Sequence, residues 1–146
     1  MDENQLNKLL RNVSRFQGSY ALDEIDDIET KLFPTFFVIN LDTRVSGGSH
    51  WIAFAVYQNN VFICDALGGL IPGKHFPKQL INFLHLLIQN RHIYITKQLQ
   101  PASSSKCGNY CVLFIKEMSK SNNFSSFLSL FTSDLVQNDK IVSFLQ

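Results

Sequence analysis

Two runs of β-branched and aromatic residues, joined by a short polar segment, constrain the fold of this chain more than any other feature. The runs cover residues 51–57 and 61–66, and Gln58-Asn59-Asn60 lies between them. Strand-forming residues on both sides of a short polar turn are typical of a β-hairpin. The sequence therefore predicts two neighbouring antiparallel strands near the middle of the chain.

The remaining periodic segments predict helices around a sheet. Apolar residues at helical spacing predict helices over 4–13, 78–89, 107–118, 124–131 and 137–145. A buried strand is expected over 33–41 and a further strand over 92–98, whereas 16–20 reads as a turn-containing connector and the acidic stretch 23–29 as a solvated face or a loop. We predict an α+β fold, a mixed sheet flanked by helices, in one domain spanning 1–146.

Composition excludes several function classes. Hydrophobic residues make up 45% of the chain and charged residues 17%, which is typical of a globular protein, and 13 phenylalanines predict an aromatic core. A formal charge of +1 gives no electrostatic footprint for nucleic acid. The N-terminal residues are acidic, and no run is apolar enough to span a membrane. We expect a non-secreted protein with no membrane partner and with reduced thiols.

Cys107 is the candidate nucleophile. It follows a serine-rich loop and begins an apolar helical segment, so it is expected in the first turn of a helix. Unpaired N–H groups and the helix dipole favour a thiolate there. The adjacent Gly108 leaves room for a substrate backbone. Taken alone, Cys107 is more often an ordinary helix residue, so the case depends on its partners.

His50 and Asp65 are the candidate base and its orienting acid, but the hairpin register decides whether they meet. His50 opens the first strand behind Gly47-Gly48-Ser49, and Asp65 lies near the end of the second. If Asn59 and Asn60 form the whole loop, Asp65 lies opposite Phe54, ~13 Å from His50. The hairpin must be centred one or two residues earlier, or contain a bulge, for the two side chains to hydrogen-bond.

Gln100 is the candidate oxyanion donor. It lies seven residues before Cys107, and the intervening loop can fold its amide back over the helix start. Gln98 is an equally available amide by sequence. With the backbone N–H of Cys107, such an amide would supply two donors to an oxyanion.

The other two cysteines are expected to be buried hydrophobic residues. Cys111 lies one helical turn after Cys107, and Cys64 lies in the second hairpin strand. Their spacing matches no common zinc pattern, so no metal or other cofactor is expected.

Two segments of the chain resemble the adenain family of adenovirus-type maturation cysteine proteases. Residues 47–55, GGSHWIAFA, are similar to its histidine segment, and residues 104–111, SSKCGNYC, to its nucleophile segment, with the glutamine seven positions upstream. Residues 16–20 and 140–145 also resemble the family, in the same order. The resemblance thus runs over nearly the whole chain.

The resemblance implies a cysteine endopeptidase that matures viral precursor proteins at small-residue, often glycine-containing, sites through an acyl-enzyme. It assigns Cys107 as nucleophile, His50 as general base, Asp65 as orienting acid and Gln100 as oxyanion donor. The family typically has glutamate where this chain has Asp65; the related proteases of ubiquitin-like modifiers use aspartate. The implied location is the virion and the host nucleus or cytoplasm.

Two departures from the family pattern bear on partners. The family is activated by a peptide tethered through a disulfide, but this chain has no cysteine in the corresponding segment 91–94. An activating peptide, if used, is expected not to be disulfide-tethered. The family is also basic and stimulated by DNA, and the near-neutral charge argues against DNA as a partner here.

Three alternative functions share parts of this pattern. An isopeptidase for ubiquitin or a similar modifier uses the same residue order. An effector-type acetyltransferase uses a similar triad on acetyl-coenzyme A, although no cofactor-binding segment is apparent in this sequence. An inactive binding module would retain the fold without the chemistry.

Overall fold

The computed structural model describes residues 1–41, 50–69 and 76–146. Five helices and five strands follow one another as α1 Glu3–Leu10, β1 Phe16–Tyr20, β2 Thr35–Asn40, β3 Trp51–Val56, β4 Asn60–Cys64, α2 Lys78–Leu87, β5 His92–Ile95, α3 Cys107–Ser121, α4 Phe124–Leu128 and α5 Leu135–Phe144 among the described residues. A short 3₁₀ helix, Leu22–Asp27, lies between β1 and β2.

The strands form one mixed sheet in the order β1-β2-β3-β4-β5. β2, β3 and β4 pair antiparallel, while the outer strands β1 and β5 pair parallel to their neighbours. Both central strands, β2 and β3, are buried along their whole length. Their continuous apolar runs are explained by burial on both faces. The α+β prediction with a mixed, helix-flanked sheet is confirmed.

Each face of the sheet carries its own hydrophobic core. On one face, α3 packs over the small side chains of Ala53 and Ala55, which allow the helix to lie close to β3. On the other face, α2 and the 3₁₀ helix cover Phe37 and Phe54, whose rings stack at 5.0 Å and meet Phe83 edge-on. Aromatic packing of this kind confirms the expectation from the phenylalanine content.

The hairpin is centred one residue earlier than a loop of Asn59 and Asn60 would require. The N–H of Tyr57 donates to the carbonyl of Asn60 at 2.8 Å, so Gln58 and Asn59 form the loop and Asn60 belongs to β4. Ala53 consequently pairs with Cys64. Continued by one step, this register sets Asp65 beside Ile52, two residues from His50.

Residues 16–20 were expected to form a connector, and this expectation is wrong. They form β1, which pairs with β2 through Phe16 with Phe36 and Ser19 with Val38. The register gains one residue between these pairs, and Gly18 takes a φ of +129° there. A bulge of this kind lets a turn-like sequence remain in a sheet because the pairing with β2 is non-local. The acidic stretch provides the solvated face of the 3₁₀ helix, since Asp23, Asp26 and Asp27 are exposed while Leu22 and Ile25 are buried.

Candidate active site

His50 and Asp65 meet at one end of the sheet. His50 directly precedes β3, and its carbonyl accepts a hydrogen bond from the N–H of Leu41 at 3.0 Å. Asp65 directly follows β4. The Nε2 atom of His50 lies 2.7 Å from Oδ1 of Asp65, and the two side chains are 14% and 1% exposed. The register condition stated for this pair is therefore met.

Cys107 is the first residue of α3 and is 5% exposed. Burial alone would raise the pKa of its thiol, but the hydrogen bond with His50 and the backbone N–H groups of Trp51 and Gly108 outweigh it and lower the pKa. Donors aimed at the sulfur stabilise its ionised form. The predicted position at a helix start, beside a histidine, is thus what the structure has.

The His50 imidazole is set to hold a positive charge. Burial lowers its pKa, but the hydrogen bonds to Asp65 and Cys107 raise the pKa by more than burial lowers it, and the net value is about 9. Because Asp65 occupies Nε2, the nitrogen left for the thiol is Nδ1, which is buried and whose contact with the Cys107 thiol is longer or less well aligned than a regular hydrogen bond. Long or poorly aligned contacts are common for catalytic pairs before substrate binds. The arrangement favours a thiolate–imidazolium pair.

Trp51 connects the sheet to the start of α3 through its backbone. Its N–H is one of the groups that lower the pKa of Cys107, and its carbonyl accepts a hydrogen bond from Cys111 Sγ at 3.4 Å. Burial raises the pKa of the Cys111 thiol well above its ordinary value, and the same holds for Cys64. Both are buried in the core between α3 and the sheet, as expected.

Gln100 is fully buried, whereas Gln98 is exposed. The backbone N–H of Gln100 donates to the carbonyl of Ala66 at 3.0 Å, which ties this residue to the segment just after Asp65. Its Nε2 donates to the carbonyl of Ser104 at 3.0 Å. An amide NH₂ carries two hydrogens, so one remains for a further acceptor. Gln98 instead donates its side chain to the Gln100 carbonyl at 3.1 Å.

The C-terminal helix also holds this segment. Asn138 of α5 is fully buried, and its Nδ2 donates to the carbonyl of Leu99 at 2.9 Å. The Tyr110 hydroxyl lies nearby and donates to Asp139 at 2.9 Å. Thus Leu99 and Gln100 are fixed from two sides, by Ala66 and by α5.

Gly108 does not leave open space for a substrate in this structure. A Cβ at this position would lie 3.2 Å from Cβ of Met1, so the Met1 side chain already lies against it. The expectation of free room beside Cys107 is therefore wrong. Gly47, Gly48 and Ser49, expected to form a flexible segment before His50, lie outside the described residues, as does His75.

Three structural features of the site were missed from sequence. The Thr96 hydroxyl hydrogen-bonds the backbone of Asp65, and the backbone N–H of Trp51 faces the Cys107 thiol. Gly68 has a φ of +69°, and a Cβ there would lie only 2.9 Å from the backbone N of Gln98, so the position has no space for a side chain. The glycine pair Gly68-Gly69, three residues after Asp65, is a visible signal for a tight turn. Nothing in the sequence marks Thr96.

A comparison with models of known protein families identifies the family of this chain. The model of the adenovirus endoprotease family matches residues 28–140. The chain belongs to this family. The matched range contains all four residues of the predicted tetrad. The resemblance inferred from the two motifs is confirmed.

Solved structures share the fold of this adenovirus endoprotease family member. The ASFV protease matches with a TM-score of 0.56 and 13% identity over 96% of this chain and 63% of its own. The central domain of an uncharacterised Legionella pneumophila protein matches with a TM-score of 0.56 and 12% identity, over 99% of this chain and 92% of its own. The Chlamydia trachomatis effector ChlaDUB1 matches with a TM-score of 0.50 and 20% identity, over 77% of this chain and 53% of its own. The chain spans less than two thirds of the ASFV protease. A search of curated proteins found no match.

Neither a metal centre nor a spanning helix is found in the described parts of the chain. Within residues 1–41, 50–69 and 76–146, no group of three or more His, Cys, Asp and Glu side chains is arranged to hold a metal ion. No helix in these ranges has the length and apolar character needed to cross a membrane.

Proposed function

We propose that this protein is an endopeptidase that cleaves precursor polypeptides of a virus or virus-derived element, at small-residue sites, through an acyl-enzyme on Cys107. The observation that carries the proposal is the chain of contacts from Asp65 through His50 to Cys107. It joins a buried carboxylate to an imidazole at 2.7 Å and a thiol whose pKa is lowered by that imidazole. These are the parts of an activated thiol nucleophile.

The reaction begins with the thiolate of Cys107 attacking the peptide carbonyl carbon. A carbon–sulfur bond forms, and the carbonyl electron pair moves to oxygen. The C–N bond then breaks, and the imidazolium of His50 gives its proton to the leaving amine. Neutral His50 next takes a proton from water, and the resulting hydroxide attacks the thioester. Collapse releases the new carboxyl terminus and restores the thiolate. Asp65 keeps the imidazole in one orientation and stabilises its positive charge throughout.

Gln100 is assigned to the oxyanion together with the backbone N–H of Cys107. Its burial and the main-chain hydrogen bond to Ala66 support this role. A donor that is already held in place costs little reorganisation energy when negative charge develops on the oxygen. The amide must share its NH₂ group between Ser104 and the oxyanion.

The burial of the nucleophile supports a preference for small residues. Cys107 is 5% exposed, and His50 is largely covered as well. A substrate reaches such a thiol only as an extended chain with little bulk beside the scissile bond, and glycine meets that condition. The three cysteines are all buried, which supports activation, where it occurs, by a peptide that is not disulfide-tethered.

The function is tested with one panel of substrates on the wild type and the Cys107→Ala variant. We expect the wild type to cleave a peptide containing Gly-Gly, and to cleave a matched peptide with valine at those positions roughly tenfold or more slowly. The variant should cleave neither. Faster turnover of a ubiquitin-like isopeptide conjugate, or transfer of label from acetyl-coenzyme A, would replace the proposal by the corresponding alternative. Binding of the peptide without turnover would indicate an inactive module.

Replacing Gln100 with alanine is expected to lower kcat about 10²- to 10³-fold, which is the usual cost of losing one oxyanion donor. KM should change little, because the donor acts on charge that develops only in the transition state. Gln98→Ala is the matched control, since it removes the exposed amide two residues away. Steady-state kinetics on the Gly-Gly peptide decide the point: equal losses in the two variants would contradict the assignment of Gln100.

A further inference from the structure

Thr96 contacts both main-chain groups of Asp65 with one side chain. Its hydroxyl accepts a hydrogen bond from the Asp65 N–H at 2.9 Å and donates one to the Asp65 carbonyl at 3.0 Å. Thr96 follows β5 directly and is 3% exposed. Its own N–H donates to the carbonyl of Ile63 at 3.0 Å, which anchors Thr96 to β4.

The position of Asp65 explains why such a contact is needed. Asp65 lies just beyond β4, whose pairing with β3 ends at Cys64 and whose pairing with β5 ends at Ile63. Buried backbone N–H and carbonyl groups beyond the end of a ladder still require partners. The threonine hydroxyl accepts from the Asp65 N–H, and it donates to the Asp65 carbonyl beside the N–H of Gly68, which donates to the same carbonyl at 2.9 Å.

We propose that Thr96 is a positioning residue for the active site, whose hydroxyl fixes the backbone of Asp65 so that the carboxylate meets His50. The inference rests on the role assigned to Asp65 in the proposed function. Thr96 touches neither substrate nor the Cys107 thiol in this role, although its side chain also contacts the buried thiol of Cys64. It acts through Asp65, and its loss displaces the carboxylate from the 2.7 Å bond to Nε2.

The carboxylate has little freedom to recover the contact by another route. A Cβ at Gly69 would lie 3.3 Å from Oδ2 of Asp65, so the turn after Asp65 packs closely against the carboxyl group. In the described part of the chain, Asp65 and Cys107 are the titratable groups that raise the pKa of His50, and both also help to raise the pKa values of the buried thiols of Cys64 on β4 and Cys111 on α3. Asp65 is the acid among them that raises the pKa of His50.

The test compares Thr96→Val, which keeps the shape and removes the hydroxyl, with Thr96→Ser, which keeps the hydroxyl. We expect the valine variant to lower kcat on the Gly-Gly peptide about 10- to 100-fold with little change in KM, because small misplacements of catalytic groups cost this much. The serine variant should stay within about threefold of wild type. Thr35→Val is a matched control: Thr35 is also 3% exposed and its hydroxyl accepts a hydrogen bond from Gln17. It pairs with Val56, at the end of β3 opposite to the end that His50 precedes.

The second readout is the pH dependence of Cys107 alkylation, which requires no substrate. Loss of the Asp65 contact lowers the pKa of His50 and raises that of the thiol. The rise of the alkylation rate should therefore move to higher pH in Thr96→Val and remain unchanged in Thr96→Ser and Thr35→Val. A purely structural role predicts lower thermal stability in both valine variants and no shift of the profile in either, and that result overturns the inference.

The two proposals can fail separately. If the wild type cleaves no peptide but the alkylation profile moves as expected, the assigned reaction fails and the role of Thr96 stands. If peptides are cleaved and Thr96→Val matches Thr35→Val in both readouts, the role of Thr96 fails alone. If Thr96→Val does not fold, Thr96→Ala and Thr96→Ser are compared by the same two readouts, with the same outcomes deciding.

Discussion

Replacing Cys107 with serine is expected to lower peptide hydrolysis by roughly 10⁴- to 10⁶-fold, the loss typical of removing a nucleophile from a catalytic triad. A serine hydroxyl stays protonated where the thiol ionises. Asp65, which remains in the variant, still raises the pKa of His50 and so favours a charged imidazole that cannot take the serine proton. Hydrolysis of the Gly-Gly peptide, followed by chromatography, measures the loss.

Cys111→Ser is the matched control for this substitution. Cys111 lies one turn further along α3 and is buried, and a serine there can keep the hydrogen bond to the Trp51 carbonyl. Its activity should remain within about threefold of wild type, since burial holds its thiol protonated and inert. A Cys107→Ser variant that retained most of its activity would contradict the assigned nucleophile.

Replacing His50 with alanine is expected to lower kcat about 10³- to 10⁴-fold, because general acid–base catalysis is lost together with the thiolate. In the wild type, the ion pair exists from the lowered pKa of Cys107 up to the pKa of His50 near 9. Hydrolysis should fall on the acid side as the thiol gains its proton. It should fall again above about pH 9 as His50 loses the proton that the leaving amine needs.

The pH dependence of thiol alkylation separates these contributions. Without His50, burial raises the pKa of Cys107, so alkylation in His50→Ala should rise only at higher pH than in the wild type. His92→Ala is the control, since His92 lies exposed on β5. An unchanged alkylation profile in His50→Ala would show that another group ionises the thiol.

The hairpin shows which features could be predicted from the sequence and which could not. The residue types of 51–57 and 61–66 were sufficient to predict two antiparallel strands, and β3 and β4 occupy those segments. The register was not predictable, because asparagine suits either a turn or a strand end. Asn60 joins β4 through its bond with Tyr57, and this single choice brings Asp65 within reach of His50.

The edge strand β1 shows why the sequence-based prediction of a connector over residues 16–20 failed. Gly18 and Ser19 are turn-forming residue types, so local propensity favours a turn in the middle of this segment. Pairing with the buried strand β2 overrides that preference, since each backbone bond in the ladder is gained only in the tertiary structure.

The two glutamines could not be separated from sequence either. Gln98 and Gln100 have the same amide and lie in the same segment, but the Ala66 carbonyl and Asn138 hold the chain so that Gln100 is buried. Both contacts join residues far apart in the chain, beyond the range of any local pattern.

By itself, the sequence determined the candidate site residues and most of the local elements of this protein. It named His50, Asp65, Gln100 and Cys107, set Cys107 at the start of a helix and predicted the hairpin that carries the first two. The tertiary structure alone decided the distances between them: the hairpin register, the backbone groups facing the thiol and the support of Asp65 by Thr96. The physical reason is that residue type and period encode local conformation, whereas a 2.7 Å contact depends on which non-local hydrogen bonds the whole fold satisfies.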